Sequence, residues 1–414
     1  MIERRHTGAI AADSLLPGFF EPGSLFEKEQ NLFFHTYKRL SLDIVRGEGV
    51  YLFDRRNKRY LDLVGGLAVN ALGYGNDRVI EAIERQIRKY IHLSNYFVQE
   101  PQVRLAEKII SASGYEKIFF TNSGTEAIEG AIKLARKWGK GTKKQNLFGM
   151  SNAFHGRTMG ALSLMDKTKY KDDYGPFLPH CSTLQFNDVE DLRRSIDDQT
   201  LGVVIEFIQG EGGIYVPGVE YIRVLKELQT RHGFLLIADE IQCGLGRTGK
   251  VFGFEHFNVS PDIVVLAKAI GGGLPLGAFL GNKRLAETFT YGVHGTTFGG
   301  NPVACAAGLA ALEQIFDGGL MANAAKIGAH LRSSLEEVRR EFPSLVSEVR
   351  GFGCMIGIEL TREVQPVVDE LQSRGILVNG TNVNVIRLLP PLIVGIDHCD
   401  EFVAQFREIL STLK

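Results

Sequence analysis

The stretch GFLLIADEIQCGLGRTGKVFGFEHFNVSPDIVVLAKAIGGG, residues 233–273, decides the fold. It holds two short apolar runs, Phe234–Ala238 and Ile263–Ala267, closed by Asp239 and Lys268. Neither run alternates apolar with polar, and each is short for a helix, so each reads as a strand covered on both faces. Working outward, KIFFT (117–121), NLFGM (146–150) and LGVVIEF (201–207) have the same texture, with helical patterns between several of them. Residues 124–138 are the strongest such helix. Buried strands alternating with helices predict an α/β protein with a mostly parallel central sheet flanked by helices.

Around this core the texture changes. Residues 1–35 read as irregular, with turn signals at Pro17-Gly18 and Pro22-Gly23. Short strands are expected at SLDIV, GVYLFD and RYLDL between Leu42 and Leu63, then a helix over Asp77–Tyr90 and another opening at Pro101. Beyond Asn301 come an Ala/Leu-rich helix and a charged one over Ala322–Arg340. Strands near Glu348–Leu360 and Ile376–Leu389 alternate with helices near Glu363–Ser373 and Asp397–Leu413. The expected division is a large domain over 56–315 and a smaller α+β domain over 316–414, with residues 1–55 packing beside the latter.

Composition bounds the function. The 414 residues carry 47 Lys+Arg against 48 Asp+Glu, a balance that argues against a basic nucleic-acid surface. Five widely spaced cysteines without a CxxC pair argue against a disulfide framework or a zinc cluster, and no metal site is expected. With no signal-peptide pattern and no long apolar run, the expectation is a cytoplasmic protein without a membrane partner. Of the 47 glycines, 19 fall within 202–300, which points to tight loops at strand ends in that window.

One motif misleads. Gly244–Gly249 (GLGRTG) matches GxGxxG, and with Lys250 it approaches a P-loop. Both nucleotide readings need a helix directly after the glycines, whereas KVFGFEHFNVSP has no helical period, and Val251 stands where a P-loop needs a hydroxyl. A better anion site is Thr121-Asn-Ser-Gly-Thr-Glu126, which follows a strand and opens a helix. Its plain reading is a helix cap, and alone that reading is the more economical. Asp239 and Lys268 shift the balance, because strand ends are where α/β sheets bind ligands. A structural ion pair remains the cheaper account of those two, yet a lysine placed after five apolar residues is costly without a use. A desolvated lysine is a nucleophile toward carbonyls, and a lysine, a carboxylate and an anion cradle together suit pyridoxal phosphate (PLP) chemistry.

At this point the sequence resembles the class III (ω-) aminotransferases of PLP fold type I. The resemblance runs from about Leu42 to the C-terminus. It is carried by LAVNALGYG, HLSNYFVQEPQ, TNSGTEAIEGAIKLAR, FHGRTMGALS, EFIQGEGGIYVP, IADEIQCGLGRTG, LAKAIGGGLPLGA, HGTTFGGNP and VIRLLPPL. Within that family it is most similar to the acetylornithine branch. The resemblance implies Lys268 as the lysine that carries the cofactor and later shuttles the proton. It implies Asp239 against the pyridinium nitrogen, Gln242 on the ring phenolate and Phe154 on the ring face. Ser123, Gly124 and Thr125 would bind the phosphate, Thr297 would reach the phosphate of a neighbouring subunit, and His155 and Glu206 would complete the cofactor set. A homodimer with shared sites follows from that role of Thr297.

For the substrate, the resemblance implies Arg387 on the α-carboxylate of glutamate or 2-oxoglutarate, with Glu211 swinging in to neutralise it when acetylornithine binds. Arg157 would hold the distal carboxylate. Departures from the family pattern are Phe207 for a usual proline, Ile128 for an asparagine, and GYGND for a His-rich segment. Leu67 and Leu32 stand where ornithine δ-aminotransferases carry tyrosines, which favours an acylated donor over free ornithine. The expectation is transamination of N²-acetylornithine with 2-oxoglutarate in arginine biosynthesis. Ornithine, 4-aminobutyrate, putrescine or succinylornithine are the alternative donors. A non-catalytic PLP-fold binding protein predicts loss of Lys268, Asp239 or Arg387, and all three are present.

Overall fold

Parity along the strands explains why the central runs are apolar throughout. In Leu235–Asp239, Leu235 and Ile237 join one hydrophobic core while Leu236 and Ala238 join the other. Ile263–Leu266 divides the same way, with Ile263 and Val265 on one face and Val264 and Leu266 on the opposite one. Successive side chains of a strand point to opposite faces, so a sheet with helices on both sides has no polar face to offer.

The structure, a computed structural model, describes residues 24–413. Its seven-stranded sheet has the order Lys117–Thr121, Gly277–Gly281, Ile263–Leu266, Leu235–Asp239, Thr200–Ile205, Asn146–Met150, Cys181–Leu184. Gly277–Gly281 runs antiparallel to both neighbours, and the other neighbouring pairs are parallel. The helix Gly124–Trp138 covers one face, burying Ala127, Ile128, Ala131, Leu134 and Ala135. Ser123 caps it by accepting from the Glu126 N–H, and the Glu126 carboxylate accepts from the Asn122 N–H at 2.8 Å. The carboxylate thus reaches one residue beyond the usual capping-box partner, the N-cap N–H, and ties Asn122 to the helix start.

C-terminally, Val346–Phe352, Met355–Leu360, Val385–Leu388 and Asn379–Thr381 form a small antiparallel sheet domain with helices Leu320–Glu341, Gln365–Ser373 and Ile396–Thr412. The N-terminal strands Ile44–Glu48, Tyr51–Asp54 and Arg59–Asp62 form a third sheet, completed by the parallel strand Ile376–Leu377. Segments more than three hundred residues apart therefore share one sheet.

Two expectations need correction. Residues 25–32 are not irregular: Leu25–Leu32 is a helix, with Ser24 accepting from the Glu27 N–H. The turns at Pro17-Gly18 and Pro22-Gly23 lie outside the described residues. The run Ile376–Leu389 is not one strand but three short pieces in two sheets, parted at Val378 and again where Asn382 and Val383 adopt left-handed backbones. All five cysteines are free, and no single helix among the described residues is long and apolar enough to cross a membrane.

Candidate active site

The parallel strands deliver their carboxyl ends to one cavity of about 480 Å³. Asp239 ends one strand, Glu206 and Lys268 follow two others, Ser123 follows the Lys117–Thr121 strand, and Phe154 lies beyond Asn146–Met150. All five line the cavity. Lys268 opens a 3₁₀ turn, Lys268–Gly271, with φ 54°. That left-handed backbone costs a non-glycine residue roughly 1 kcal/mol, held here by the packed turn around it. Burial lowers its amine from the usual lysine range to about 8, with Arg387 adding to the effect and Glu211, Asp239 and Glu206 opposing it.

Asp239 is held from behind. Its Oδ2 lies 2.7 Å from Nδ1 of the buried His155, and its Oδ1 accepts from the Ile241 N–H. Burial alone would lower the His155 pKa, yet the hydrogen bond to Asp239 and its charge outweigh that and raise it. Glu206 accepts from the backbone N–H groups of Phe154 (2.9 Å) and Gly210 (3.0 Å). Burial, followed by the charge of Asp239, pushes its carboxyl up to about 7. Glu206 thus shapes the wall by tying two loops together.

At the cradle, the first N–H groups of the Gly124–Trp138 helix have no intrahelical acceptor and face the cavity end where Gly124 and Thr125 lie. Thr125 Oγ1 accepts from the N–H groups of Arg157 and Thr158 at 3.2 Å each, which pins the Phe154–Thr158 loop to the helix start. A Cβ at Gly124 would sit 2.7 Å from Ile241 Cδ1 and 3.3 Å from Ala267 Cβ, so a larger residue there would have to push the Ile241 side chain aside. The donor-rich helix start, the buried carboxylate, the lysine and the Phe154 ring fit PLP: an anion, a ring nitrogen, a carbonyl and an aromatic face are each matched.

Arg387 is fully buried on Val385–Leu388. It donates to Glu211 Oε1 (2.6 Å), Gln242 Oε1 (3.2 Å) and Asn379 Oδ1 (2.5 Å), and its Nε has no partner. Burial would raise the Glu211 carboxyl, but Arg387 outweighs it and holds it below the usual range. Arg157 also lines the cavity, and no carboxylate pairs with its guanidinium among the described residues. Thr297 is exposed and stands outside this cavity wall. Leu67 and Leu32 are also exposed and off the wall; the segment contributes Val69 instead.

Sequence reasoning missed Ile241, Val69 and Leu274, which line the cavity, and Asn379, which holds Arg387. Ile241 had a readable signal, standing between Asp239 and Gln242 at a strand end. The misleading GLGRTG segment proves to be packing. Its glycines Gly246 (φ 90°) and Gly249 (φ 87°) let the turn lie against Ile315 and Ala325, and no α-helix follows directly. Phe207, standing for the family proline, is buried and stacks on Phe257 at 5.7 Å. Among the described residues no group of His, Cys, Asp and Glu has the arrangement of a metal site.

A mixed sheet of this order, with a lysine and an aspartate at adjacent strand ends beside a helix-start cradle, defines a PLP enzyme of fold type I. Comparison narrows that class. The profile described as "Aminotransferase class-III" matches residues 33–410. An acetylornithine aminotransferase of Methanocaldococcus jannaschii is 41% identical over 94% of this chain and 98% of its own. One of Aquifex aeolicus is 40% identical over 91% and 99%. Among solved structures, an ornithine aminotransferase of Toxoplasma gondii superposes with TM-score 0.89 at 30% identity, covering 94% of each chain. An acetylornithine aminotransferase of Elizabethkingia anophelis gives 0.82 at 30% identity, covering 93% of this chain and 98% of that one. The chain belongs to the class III aminotransferases and is a PLP-dependent transaminase.

Proposed function

We propose that the protein moves the terminal amine of N²-acetylornithine to 2-oxoglutarate, giving N-acetylglutamate 5-semialdehyde and glutamate, as a cytoplasmic step of arginine biosynthesis. One observation carries the substrate reading: Arg387 is paired with Glu211, whereas Arg157 has no anionic partner among the described residues. A permanently free arginine suits a carboxylate present in both substrates. An arginine with a movable internal partner suits a carboxylate present in only one.

PLP, when bound, supplies an electron sink for the substrate carbon that loses its proton. Ser123, Gly124 and Thr125 would hold its phosphate, Phe154 its ring face, and Asp239, fixed by His155, its ring nitrogen. Gln242 gives its Oε1 to Arg387, which leaves Nε2 to donate to the phenolate oxygen. Lys268 Nζ, neutral above pH about 8, takes the substrate proton and returns it. Glu211 is fixed at its backbone, since its carbonyl accepts from Thr381 Oγ1 (2.9 Å) and Lys167 Nζ (3.1 Å), so a switch there is a side-chain rotation.

The same reading includes a homodimer with shared sites, in which Thr297 of one copy reaches the phosphate held by the other. Exposed apolar side chains at Tyr96, Phe97, Val98, Tyr291 and Phe298 support it. Free cysteines, most of them buried, agree with a reducing compartment.

The test is a panel of amino donors on PLP-loaded enzyme with 2-oxoglutarate as acceptor. The kcat/KM for acetylornithine is expected to exceed that for ornithine, 4-aminobutyrate and putrescine by at least about tenfold, and Lys268→Ala to abolish turnover. A clear preference for free ornithine defeats the assignment.

A further inference from the structure

The segment Met165-Asp-Lys-Thr-Lys-Tyr170 takes no direct part in the chemistry above, yet it touches Arg157 through Tyr170 and the backbone of Glu211 through Lys167. The Tyr170 ring lies beneath the Arg157 guanidinium at 4.1 Å and meets the Phe154 ring edge-on, with centroids 5.7 Å apart. The guanidinium is also 5.4 Å from the Phe154 centroid, so two aromatic faces bracket it. The Tyr170 hydroxyl has no hydrogen bond among those found in the described residues. Its contribution is therefore the ring.

We propose that Tyr170 is a positioning and specificity-determining residue, whose ring holds Arg157 in the cavity, ready for the distal carboxylate of a dicarboxylate substrate. The proposal rests on the reading of Arg157 as that carboxylate's partner. A long arginine without an anionic partner loses rotamer freedom when substrate binds. A ring that already fixes the guanidinium, while taking none of its N–H donors, removes that cost and leaves the fork free for a carboxylate. A carboxylate partner would fix it equally well but would compete with substrate.

The platform is itself rigid. Thr168–Lys171 is a short helix in which the Tyr170 N–H donates to the Lys167 carbonyl at 2.9 Å. Lys171 Nζ donates back to the Met165 carbonyl at 2.8 Å and lies over the Phe177 ring. Lys167 donates to the Glu211 carbonyl, so one turn of chain sets the floor for Arg157 and the anchor for Glu211. Lys169 Nζ, 4.7 Å from the Tyr170 centroid, adds a second cation to that ring and keeps the region attractive to anions.

The test uses PLP-loaded enzyme, with 2-oxoglutarate compared against 2-oxopentanoate, which has the same chain without the distal carboxylate. Glutarate affinity by calorimetry is the readout independent of turnover. Tyr170→Leu is expected to raise the KM for 2-oxoglutarate and the Kd for glutarate by roughly three- to tenfold, the range of a partly exposed cation–ring contact. The kcat and the handling of 2-oxopentanoate should hold within about twofold, and Tyr170→Phe should keep the native selectivity. The proposal is overturned if Tyr170→Leu leaves glutarate affinity and acceptor selectivity native, or weakens both acceptors equally. Arg157→Leu is the reference. If it loses selectivity while Tyr170→Leu does not, only the role of Tyr170 falls. If Arg157→Leu itself keeps selectivity, the carboxylate reading falls and the proposal with it.

Discussion

Lys268 shows what a single position can reveal before and after folding. Its charge after five apolar residues marks it in the sequence, but its left-handed φ and its four charged neighbours come from segments far apart in the chain. Burial favours the neutral amine and brings the pKa down to about 8, while Glu211, Asp239 and Glu206 pull it back up. The neutral fraction therefore rises as pH climbs through about 8. PLP uptake by cofactor-stripped protein, followed by visible absorbance, should accelerate about tenfold per pH unit below that point and level off above it. Glu211→Gln removes a charge that favours the ammonium, so its limb should move to lower pH; a limb that stays fixed or rises contradicts this electrostatic account. Arg387 was legible in the same way as Lys268, as a charge inside an apolar strand. Its partner Asn379 was not, because an asparagine at the start of a short polar strand carries no mark until the Asn379–Thr381 and Val385–Leu388 strands pair.

At the scale of elements, strong apolar runs and well-capped helices were readable to within a residue or two, as with Gly124–Trp138. A short strand closed by glycine at both ends was not. Gly277–Gly281 has glycine at both ends and reads as loop, yet it forms the antiparallel seam joining Lys117–Thr121 to the rest of the sheet. The GLGRTG turn misleads for the opposite reason, because close helix packing and phosphate binding select glycine alike. Arg247 at its centre is buried and donates to the carbonyls of Cys354 and Pro390, while the Cys354 N–H donates to the Arg247 carbonyl. The turn thus ties the central sheet to the C-terminal antiparallel sheet. Arg247→Met strands two buried carbonyls but also removes a costly buried charge. The net expectation is a loss of about 2 kcal/mol in unfolding free energy, read as an earlier urea midpoint with unchanged KM for the amino donor. A variant as stable as the parent would mean that the turn does not join the two sheets energetically.

Across the whole molecule, the α/β class was legible because alternating buried strands and helices admit few other arrangements. Which strands join the N-terminal segment to the C-terminal part was not, nor was the way copies of the chain meet, because neither leaves a local pattern. The pairing of Ile376–Leu377 with Arg59–Asp62 joins segments more than three hundred residues apart. Thr297 poses the same problem between molecules: it is exposed and outside the cavity of its own chain, its loop carries the exposed Tyr291 and Phe298, and the segment after Asn95 carries the exposed Tyr96–Val98. Asn95 donates to the carbonyls of Thr296 and Gly299, so those two exposed segments move as one surface. If each site takes Lys268 from one copy and Thr297 from the other, Thr297→Asp should be inactive, since a carboxylate there repels a phosphate. Lys268→Ala is inactive for its own reason. Co-expressed, the two chains should regain activity. A mixed dimer has one site with both native residues and one with neither, and random pairing makes about half of all dimers mixed, so about a quarter of native activity is expected. Were each chain to use its own Thr297, every site would carry one lesion and mixing would restore nothing.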